Sequence, residues 1–290
     1  MDKIAIIGGS GIKDSPQFRD VEWKSFDTKY SNGWGDGIVD YQQNDEVIFI
    51  PRHGRDETCR YLPSRAQYGA NLIAAKELGA TVVVAISAVG SLVREINVRD
   101  LVIPNDQKND SGRDSNFYGV GFGIHGNPMK PSPFSEAVRT ALIEEGNLHF
   151  QKVHKHGVYV TIPGDFFGTP IEGRTRAQYA EIVGMTLFPE VEMAIQLDLH
   201  YGCAAIPVDN NLDASHEDST IRNMTELSEV VPAFVSGAIK RLRPLAADPP
   251  KLEQLMGNII PADERGLARI QNEFLRENAR RLIQRYCRQE

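Results

Sequence analysis

The sequence predicts an α/β protein built on a central mixed, mostly parallel sheet that is flanked by helices. Residues 82–91 form a continuous apolar run that ends in small residues, which is typical of a strand buried on both faces. Residues 64–79 precede this run and predict a helix, with Ala70 and Ile73 on one side and Gly79 as the C-terminal stop. This alternation of helix and strand favours parallel strands joined by crossover connections.

The other elements continue the alternation in chain order. Further apolar strands are predicted at 3–7, 47–50, 101–104, 157–162, 183–186 and 202–208. Further helices are predicted near 134–145, 171–181, 189–199 and 219–242. The polar stretch 105–133 is too long for a simple connection, and we expect it to be functional or to make subunit contacts.

The C-terminal residues are predicted to form a separate part of the chain. Pro244 and the Asp-Pro-Pro sequence at 248–250 mark a hinge. We therefore divide the chain into a domain of residues 1–245 and a helical C-terminal extension of residues 246–290, which is basic and amphipathic. Two positions are open for this tail: it packs on a neighbouring subunit of an assembly, or it lies as a solvated helix on its own subunit.

Composition argues against several classes of protein. The formal net charge of −7 argues weakly against a nucleic-acid backbone as partner. The cysteines Cys59, Cys203 and Cys287 are widely spaced, which leaves no disulfide framework and no zinc pattern and indicates a reducing compartment. No apolar run approaches the ~20 residues that a membrane span needs. We expect a cytoplasmic protein with no metal, no nucleic-acid partner and no membrane contact.

Groups that suit an anion lie at or just after the carboxyl ends of several predicted strands. They are Ser10, Arg52 with His53, Ser87 and Thr186, and Asp209 follows the last strand as a possible acid. In an open α/β sheet, ligands bind outside the carboxyl ends of the strands. Taken singly, each group has an ordinary explanation as a local cap or a rim charge. Their joint placement favours a phosphate site.

Five short motifs occur in the order and spacing of one enzyme family. They are Ile-Gly-Gly-Ser-Gly at 7–11, Pro-Arg-His-Gly at 51–54, Tyr-Gly-Ala-Asn at 68–71, Ser-Ala-Val-Gly-Ser at 87–91 and Gly-Met-Thr-Leu-Phe-Pro-Glu at 184–190. With these motifs the chain resembles the trimeric purine nucleoside phosphorylases, in particular their 5′-methylthioadenosine phosphorylase branch. The resemblance covers about residues 3–245.

The resemblance implies roles for individual residues. The implied phosphate ligands are Ser10, Arg52, His53, Ser87, the amide of Ala88, and Thr186. Met185 would lie along the ribose, Phe167 would stack near sugar and base, and Asp209 would meet N7 of the purine. The family's second adenine-side aspartate is Asn211 here, and whether Asp213 substitutes for it stays open.

The resemblance also implies an oligomer, a homotrimer or a dimer of trimers, in which a neighbouring subunit completes the 5′ pocket. His125 best matches the donated residue. Ile221 and Met224 would line an apolar pocket that suits a methylthio group if they face inward. If Arg222 faces inward instead, a polar or anionic 5′-group fits.

The implied reaction is phosphorolysis of the N-glycosidic bond of 5′-methylthioadenosine or a related adenine nucleoside. It would give adenine and a 5-methylthioribose 1-phosphate, with inorganic phosphate as co-substrate and no cofactor. A carboxylic acid at Asp209 suits this chemistry because it can protonate N7 as electrons move onto the base. The segment 163–167 departs from the family pattern at Asp165 and Phe166. Two alternatives are therefore kept: a divergent phosphorylase or hydrolase of another purine nucleoside, and a non-catalytic nucleoside-binding homologue.

Overall fold

A computed structural model describes residues 2–9, 17–31, 35–55, 61–119, 122–125, 132–210, 217–255 and 258–287, with only the backbone described over 217–229. The strands are β1 (Lys3–Gly8), β2 (Lys24–Asp27), β3 (Ile38–Gln43), β4 (Val47–Pro51), β5 (Ala80–Ser91), β6 (Leu101–Val102), β7 (Asp106–Asn109), β8 (Gly123–Ile124), β9 (Val153–His154), β10 (Val158–Thr161), β11 (Ile182–Gly184), β12 (His200–Asn210) and β13 (Ile259–Ile260). The α-helices are α1 (Tyr68–Glu77), α2 (Glu136–His149), α3 (Pro170–Arg176), α4 (Leu187–Gln196), α5 (Glu217–Ala247), α6 (Glu264–Leu267) and α7 (Glu273–Tyr286).

The main sheet is mixed and mostly parallel, and β5 lies at its centre. The strand order is β2-β3-β4-β1-β5-β11-β10-β7, while β12 also pairs with β5 and continues to β6 and β9. β5 runs parallel to β1 and β12 and antiparallel to β11. The predicted fold class is therefore confirmed.

Helices cover both faces of β5. Because successive side chains of a strand point to opposite faces, Val83 and Val84 belong to two different apolar clusters. The cluster of Val83 includes residues of α1, α4 and α7, whereas that of Val84 includes residues of α2 and α5. None of the helices in the described part of the chain is both long and apolar enough to cross a membrane.

Some predicted boundaries are wrong. β5 continues through Ser91, so Ser87 lies inside the strand, because β12 supplies backbone partners along this whole stretch. Asp209 likewise lies inside β12. Helix α5 continues through the predicted hinge at Pro244 to Ala247. Pro244 is exposed, so water can bind the carbonyl that loses its helical partner.

The described residues of the tail pack on their own chain. Leu275 and Leu282 of α7 are buried in the same apolar cluster as α1 and α4. The Tyr286 hydroxyl donates to a carboxylate oxygen of Asp198 at 2.5 Å. β13 pairs with β8, which ties the tail to the stretch 105–133. The described part of the tail thus packs on its own subunit, and packing on a neighbouring subunit stays a prediction.

A buried histidine joins β12 to the start of the tail. Nδ1 of His200 lies 2.8 Å from Oγ of Ser135, and its Nε2–H donates to the carbonyl of Pro250 at 2.9 Å. Burial lowers the pKa of His200 below its ordinary value. The neutral ring is therefore the form that the folded state favours.

We expect His200 to make the folded state less stable as the pH falls below about 6.5, the ordinary pKa of histidine. Below that pH the unfolded chain binds a proton that the folded ring binds only at still lower pH, so protonation favours unfolding. Urea unfolding of wild type and His200→Gln between about pH 8 and pH 5 checks this. The stability advantage of the wild type should shrink toward low pH, and a constant advantage would contradict the assignment.

Candidate active site

β5 lacks a neighbouring strand along part of one edge. On that edge β1 pairs with it as far as Ala85, and β11 begins to pair with it at Gly90. Between them, residues 86–89 pair only with β12 among the described strands; we call these four residues the sheet gap. Ala88 is exposed in the sheet gap, although the residues on either side of it are buried. Backbone groups here are open to a ligand, in the middle of an otherwise buried strand.

Two hydroxyl groups meet beside the sheet gap. Oγ of Ser87 lies 3.1 Å from Oγ1 of Thr186, and both side chains are buried. Thr186 lies between β11 and α4 as the residue before the helix, with a non-helical backbone (φ −127°, ψ −18°), and its side chain does not cap the helix. One of the two hydroxyls donates its hydrogen to the other. The hydroxyl that accepts can still donate its own hydrogen to an anion.

A buried phenol lies next to this hydroxyl pair. The Tyr159 side chain is fully buried, and its hydroxyl lies beside Thr186. Burial raises the pKa of Tyr159 to about 12, so the group stays protonated near neutral pH. A Cβ on Gly184 would lie 1.9 Å from that hydroxyl, so only glycine leaves room for it. The β11–α4 turn is thus packed tightly around Thr186.

Arg52 links the end of β1 to the interior of β5 at the sheet gap. Its Nη1 donates to the carbonyl of Ile86 at 3.0 Å, and its Nη2 donates to the carbonyl of Ile7 at 3.2 Å. Nε and Nη2 also donate to the two carboxylate oxygens of Glu190, at 2.9 and 3.0 Å. These contacts use four of the five guanidinium N–H groups, which leaves one on Nη1 within the described structure.

The Arg52–Glu190 pair is fully buried. Burial disfavours the Arg52 cation, but the facing carboxylate more than offsets this, so the pKa of Arg52 is raised. The Tyr201 hydroxyl donates to the same carboxylate at 2.6 Å, and burial raises the pKa of Tyr201 well above its ordinary value. Because the carboxylate already neutralises Arg52, that residue offers an anion a fixed N–H rather than an unpaired positive charge.

Asp209 lies on the strand next to the sheet gap. It pairs with Gly90 of β5 after a register shift that follows Pro207 of β12. The residue is half-buried. A bulge of this kind redirects the side chains that follow it, which suits the placement of a functional group.

The other predicted residues occupy different positions. Nδ1–H of His53 donates to the carbonyl of Tyr61 at 2.8 Å, and the backbone N–H of His125 donates to Asn258 of the tail at 3.0 Å. Phe167 is 70% exposed. Met185 precedes Thr186, and its side chain is partly buried.

Four predicted residues cannot be placed. Ser10 and Asn211 lie outside the described residues. Ile221 and Met224 belong to α5, of which only the backbone is described at these positions. Among the described residues, no group of three or more His, Cys, Asp or Glu side chains has the arrangement of a metal site.

Two residues that hold the site together were not predicted from the sequence. Glu190 was part of a motif but was given no role, although a charge among the apolar residues of α4 indicates a buried partner. Arg113 binds backbone carbonyls on either side of Thr186. No local pattern indicates it, because its partners come together only in the folded chain.

A sequence model of the phosphorylase superfamily matches residues 3–240. The chain belongs to this superfamily. Among similar superfamily members, the S-methyl-5′-thioadenosine phosphorylase of Pyrobaculum aerophilum is 33% identical over 247 residues, covering 82% of this chain and 87% of that relative. The corresponding enzyme of Hyperthermus butylicus is 34% identical over 246 residues, covering 83% and 89%.

Solved structures of the superfamily share the fold. A methylthioadenosine phosphorylase from an Antarctic soil metagenomic library aligns with a TM-score of 0.76 at 26% identity, covering 93% of this chain and 98% of that one. The methylthioadenosine phosphorylase of Schistosoma mansoni in complex with adenine aligns with a TM-score of 0.70 at 27% identity, covering 83% and 91%.

Proposed function

We propose that this chain is a pentosyltransferase that cleaves 5′-methylthioadenosine, or a related adenine nucleoside, with inorganic phosphate. The observation that carries the proposal is the sheet gap, where exposed Ala88 lies beside the paired hydroxyls of Ser87 and Thr186. A backbone N–H and hydroxyl groups are donors suited to phosphate oxygens. The names of the relatives, and the adenine bound to one of them, support the choice of nucleoside.

In this proposal, phosphate is held by donors around the sheet gap that carry no unpaired positive charge. Thr186, Ser87 and the Ala88 amide bind its oxygens, and the remaining N–H of Arg52 adds one further fixed donor. We assign Ser10 and His53 to the same set. Donors held in place by a buried ion pair need little reorganisation during the reaction, which is the condition for strong electrostatic stabilisation.

Asp209 acts as the general acid. Its carboxylic acid gives a proton to N7 of the purine while the electron pair of the C1′–N9 bond moves onto the base. The sugar becomes oxocarbenium-like, and a phosphate oxygen then forms the new bond to C1′. The products are adenine and 5-methylthioribose 1-phosphate, and no cofactor takes part.

The remaining assignments concern the nucleoside and the assembly. Met185 and Phe167 lie along sugar and base, and Asn211 lies on the adenine side. Ile221 and Met224, with His125 from a neighbouring subunit, enclose the 5′-methylthio group. The chain then works in the cytoplasm as a homotrimer or a dimer of trimers, and light scattering of the purified protein would measure the mass of the assembly.

A panel of nucleosides assayed with and without phosphate tests the function. The purified protein is incubated with 5′-methylthioadenosine, adenosine and inosine, and the released base is measured by chromatography. We expect adenine release from 5′-methylthioadenosine only when phosphate is present. Equal release without phosphate would establish a hydrolase instead. Binding of adenine without any turnover would establish a non-catalytic nucleoside-binding protein.

A further inference from the structure

Arg113 lies in the polar stretch after β7 and is aimed back at the site. Its guanidinium carbon lies 5.3 Å from the centre of the Tyr68 ring, a cation–π geometry that orients the planar group. The side chain is partly buried, while the residues on either side of it in the chain are exposed. Arg113 thus enters the protein between two exposed neighbours.

The guanidinium binds backbone carbonyls from two separate loops. Nη1 donates to the carbonyls of Met185 and Phe188, each at 2.7 Å. Nη2 donates to the carbonyl of Pro163. The planar, rigid fork of arginine can serve acceptors in several directions at once, whereas the single ammonium of lysine cannot span the same set.

Two of these carbonyls flank the turn that carries Thr186, and the third is at the start of the 163–167 loop. Met185 and Phe188 lie on either side of the Thr186–Leu187 pair, so Arg113 holds the backbone at both ends of the turn that presents the Thr186 hydroxyl. The Tyr68 hydroxyl donates to the carbonyl of Pro63 at 2.7 Å and lies 3.3 Å from the carbonyl of Met185. Pro163 begins the loop that leads to Phe167.

We infer that Arg113 is a positioning residue that fixes the Thr186 turn against Ser87 and fixes the 163–167 loop beside it. The inference rests on the proposed function, since it gives the clamped Thr186 the task of binding phosphate. It assigns a role to the polar stretch that follows β7: one of its side chains sets the geometry of the anion site without touching the substrate.

The test compares Arg113→Ala and Arg113→Lys with the wild type, and uses Arg243→Ala as a matched control. Arg243 makes an exposed ion pair with Glu46 and is distant in sequence from both loops. In Arg113→Ala, kcat/KM for phosphate should fall by roughly 10²-fold, the scale of a misplacement of about 1 Å. The KM for phosphate should rise more than the KM for the nucleoside, because two of the three bound carbonyls enclose Thr186. Arg243→Ala should keep wild-type values.

Two further measurements separate positioning from simple destabilisation. Added guanidinium ion should restore part of the activity of Arg113→Ala. It should not raise the activity of wild type or of Arg243→Ala. Arg113→Lys, which keeps the positive charge, should fold and should still show the raised KM for phosphate. If Arg113→Lys shows wild-type phosphate kinetics, the inference is wrong, because the positive charge alone would then account for the effect of Arg113.

The outcomes distinguish this inference from the proposed function. If wild type releases adenine with phosphate and Arg113→Ala keeps the same kinetics, the inference falls and the function stands. If wild type shows no phosphate-dependent release of adenine, the proposed function is wrong. Thermal unfolding with added phosphate then tests the role of Arg113 on its own. Phosphate should then raise the Tm of wild type more than that of Arg113→Lys; equal rises, or no rise in wild type, would overturn it.

Discussion

Replacing Asp209 with asparagine is expected to lower kcat for adenine release from 5′-methylthioadenosine by ~10²–10⁴-fold, the range for one general acid. Asparagine has nearly the same shape but cannot give up a proton. The negative charge that develops on the base is therefore no longer neutralised by protonation of N7. The folded structure should change little, because Asp209 is half-buried beside a bulge rather than in the core. Steady-state kinetics at saturating phosphate measure the effect.

The same variant also tests which base the site prefers. An aspartate can donate to N7 and accept from the exocyclic amine of adenine, whereas an asparagine can donate to the carbonyl of a 6-oxopurine. The ratio of kcat/KM for 5′-methylthioinosine to that for 5′-methylthioadenosine should therefore rise in Asp209→Asn. Asp40→Asn, the same change on β3 where Asp40 accepts from Ser25, should alter neither value. Wild-type kcat in Asp209→Asn would remove this residue from the mechanism.

Replacing Glu190 with glutamine is expected to destabilise the protein by about 3–5 kcal/mol, the usual cost of removing one partner of a buried ion pair. Arg52 would be left as a buried cation with no carboxylate, since both side chains are almost inaccessible to water. Glu46→Gln serves as the matched control, because the Arg243–Glu46 pair is exposed and its loss should cost less than about 1 kcal/mol. Urea unfolding at neutral pH compares the two variants.

A double replacement separates the charge from the packing. Arg52→Met with Glu190→Met removes both charges, so its stability should lie well above that of Glu190→Gln. Its KM for phosphate should nevertheless rise, because the N–H groups that link β1 and β5 are gone. If Glu190→Gln and Glu46→Gln unfold at the same urea concentration, the buried pair is not what stabilises this region.

The centre of the fold could be predicted because burial leaves a clear signal in the sequence. The apolar run of β5 indicates a strand covered on both faces, and Val83 and Val84 do belong to the clusters on its two sides. The strands at the edges of the sheet have no such pattern of apolar residues in the sequence. β2 and β7 pair through their backbones, and apart from the partly buried Phe26 their side chains are charged or polar, so no alternation of apolar residues marks them.

The candidate site was predictable only in part, for a related reason. Ser87 and Thr186 could be assigned because they lie together with other anion-binding groups at the ends of predicted strands and within the family motifs, and the fold does bring them together. What supports them could not be assigned. Arg52 shares most of its donors with Glu190 and two carbonyls, and Arg113 binds only backbone oxygens, so their roles depend on long-range contacts.

The sheet gap has a consequence for how substrate and fold depend on one another. An anion bound at Ala88 would take the place of the missing strand, so it would complete the hydrogen bonding of the central sheet as well as fill a pocket. Amide hydrogens of the central strand should then exchange more slowly with solvent in saturating phosphate, on both sides of that position. Bound phosphate would then provide the hydrogen bonds that a neighbouring strand provides elsewhere in the sheet.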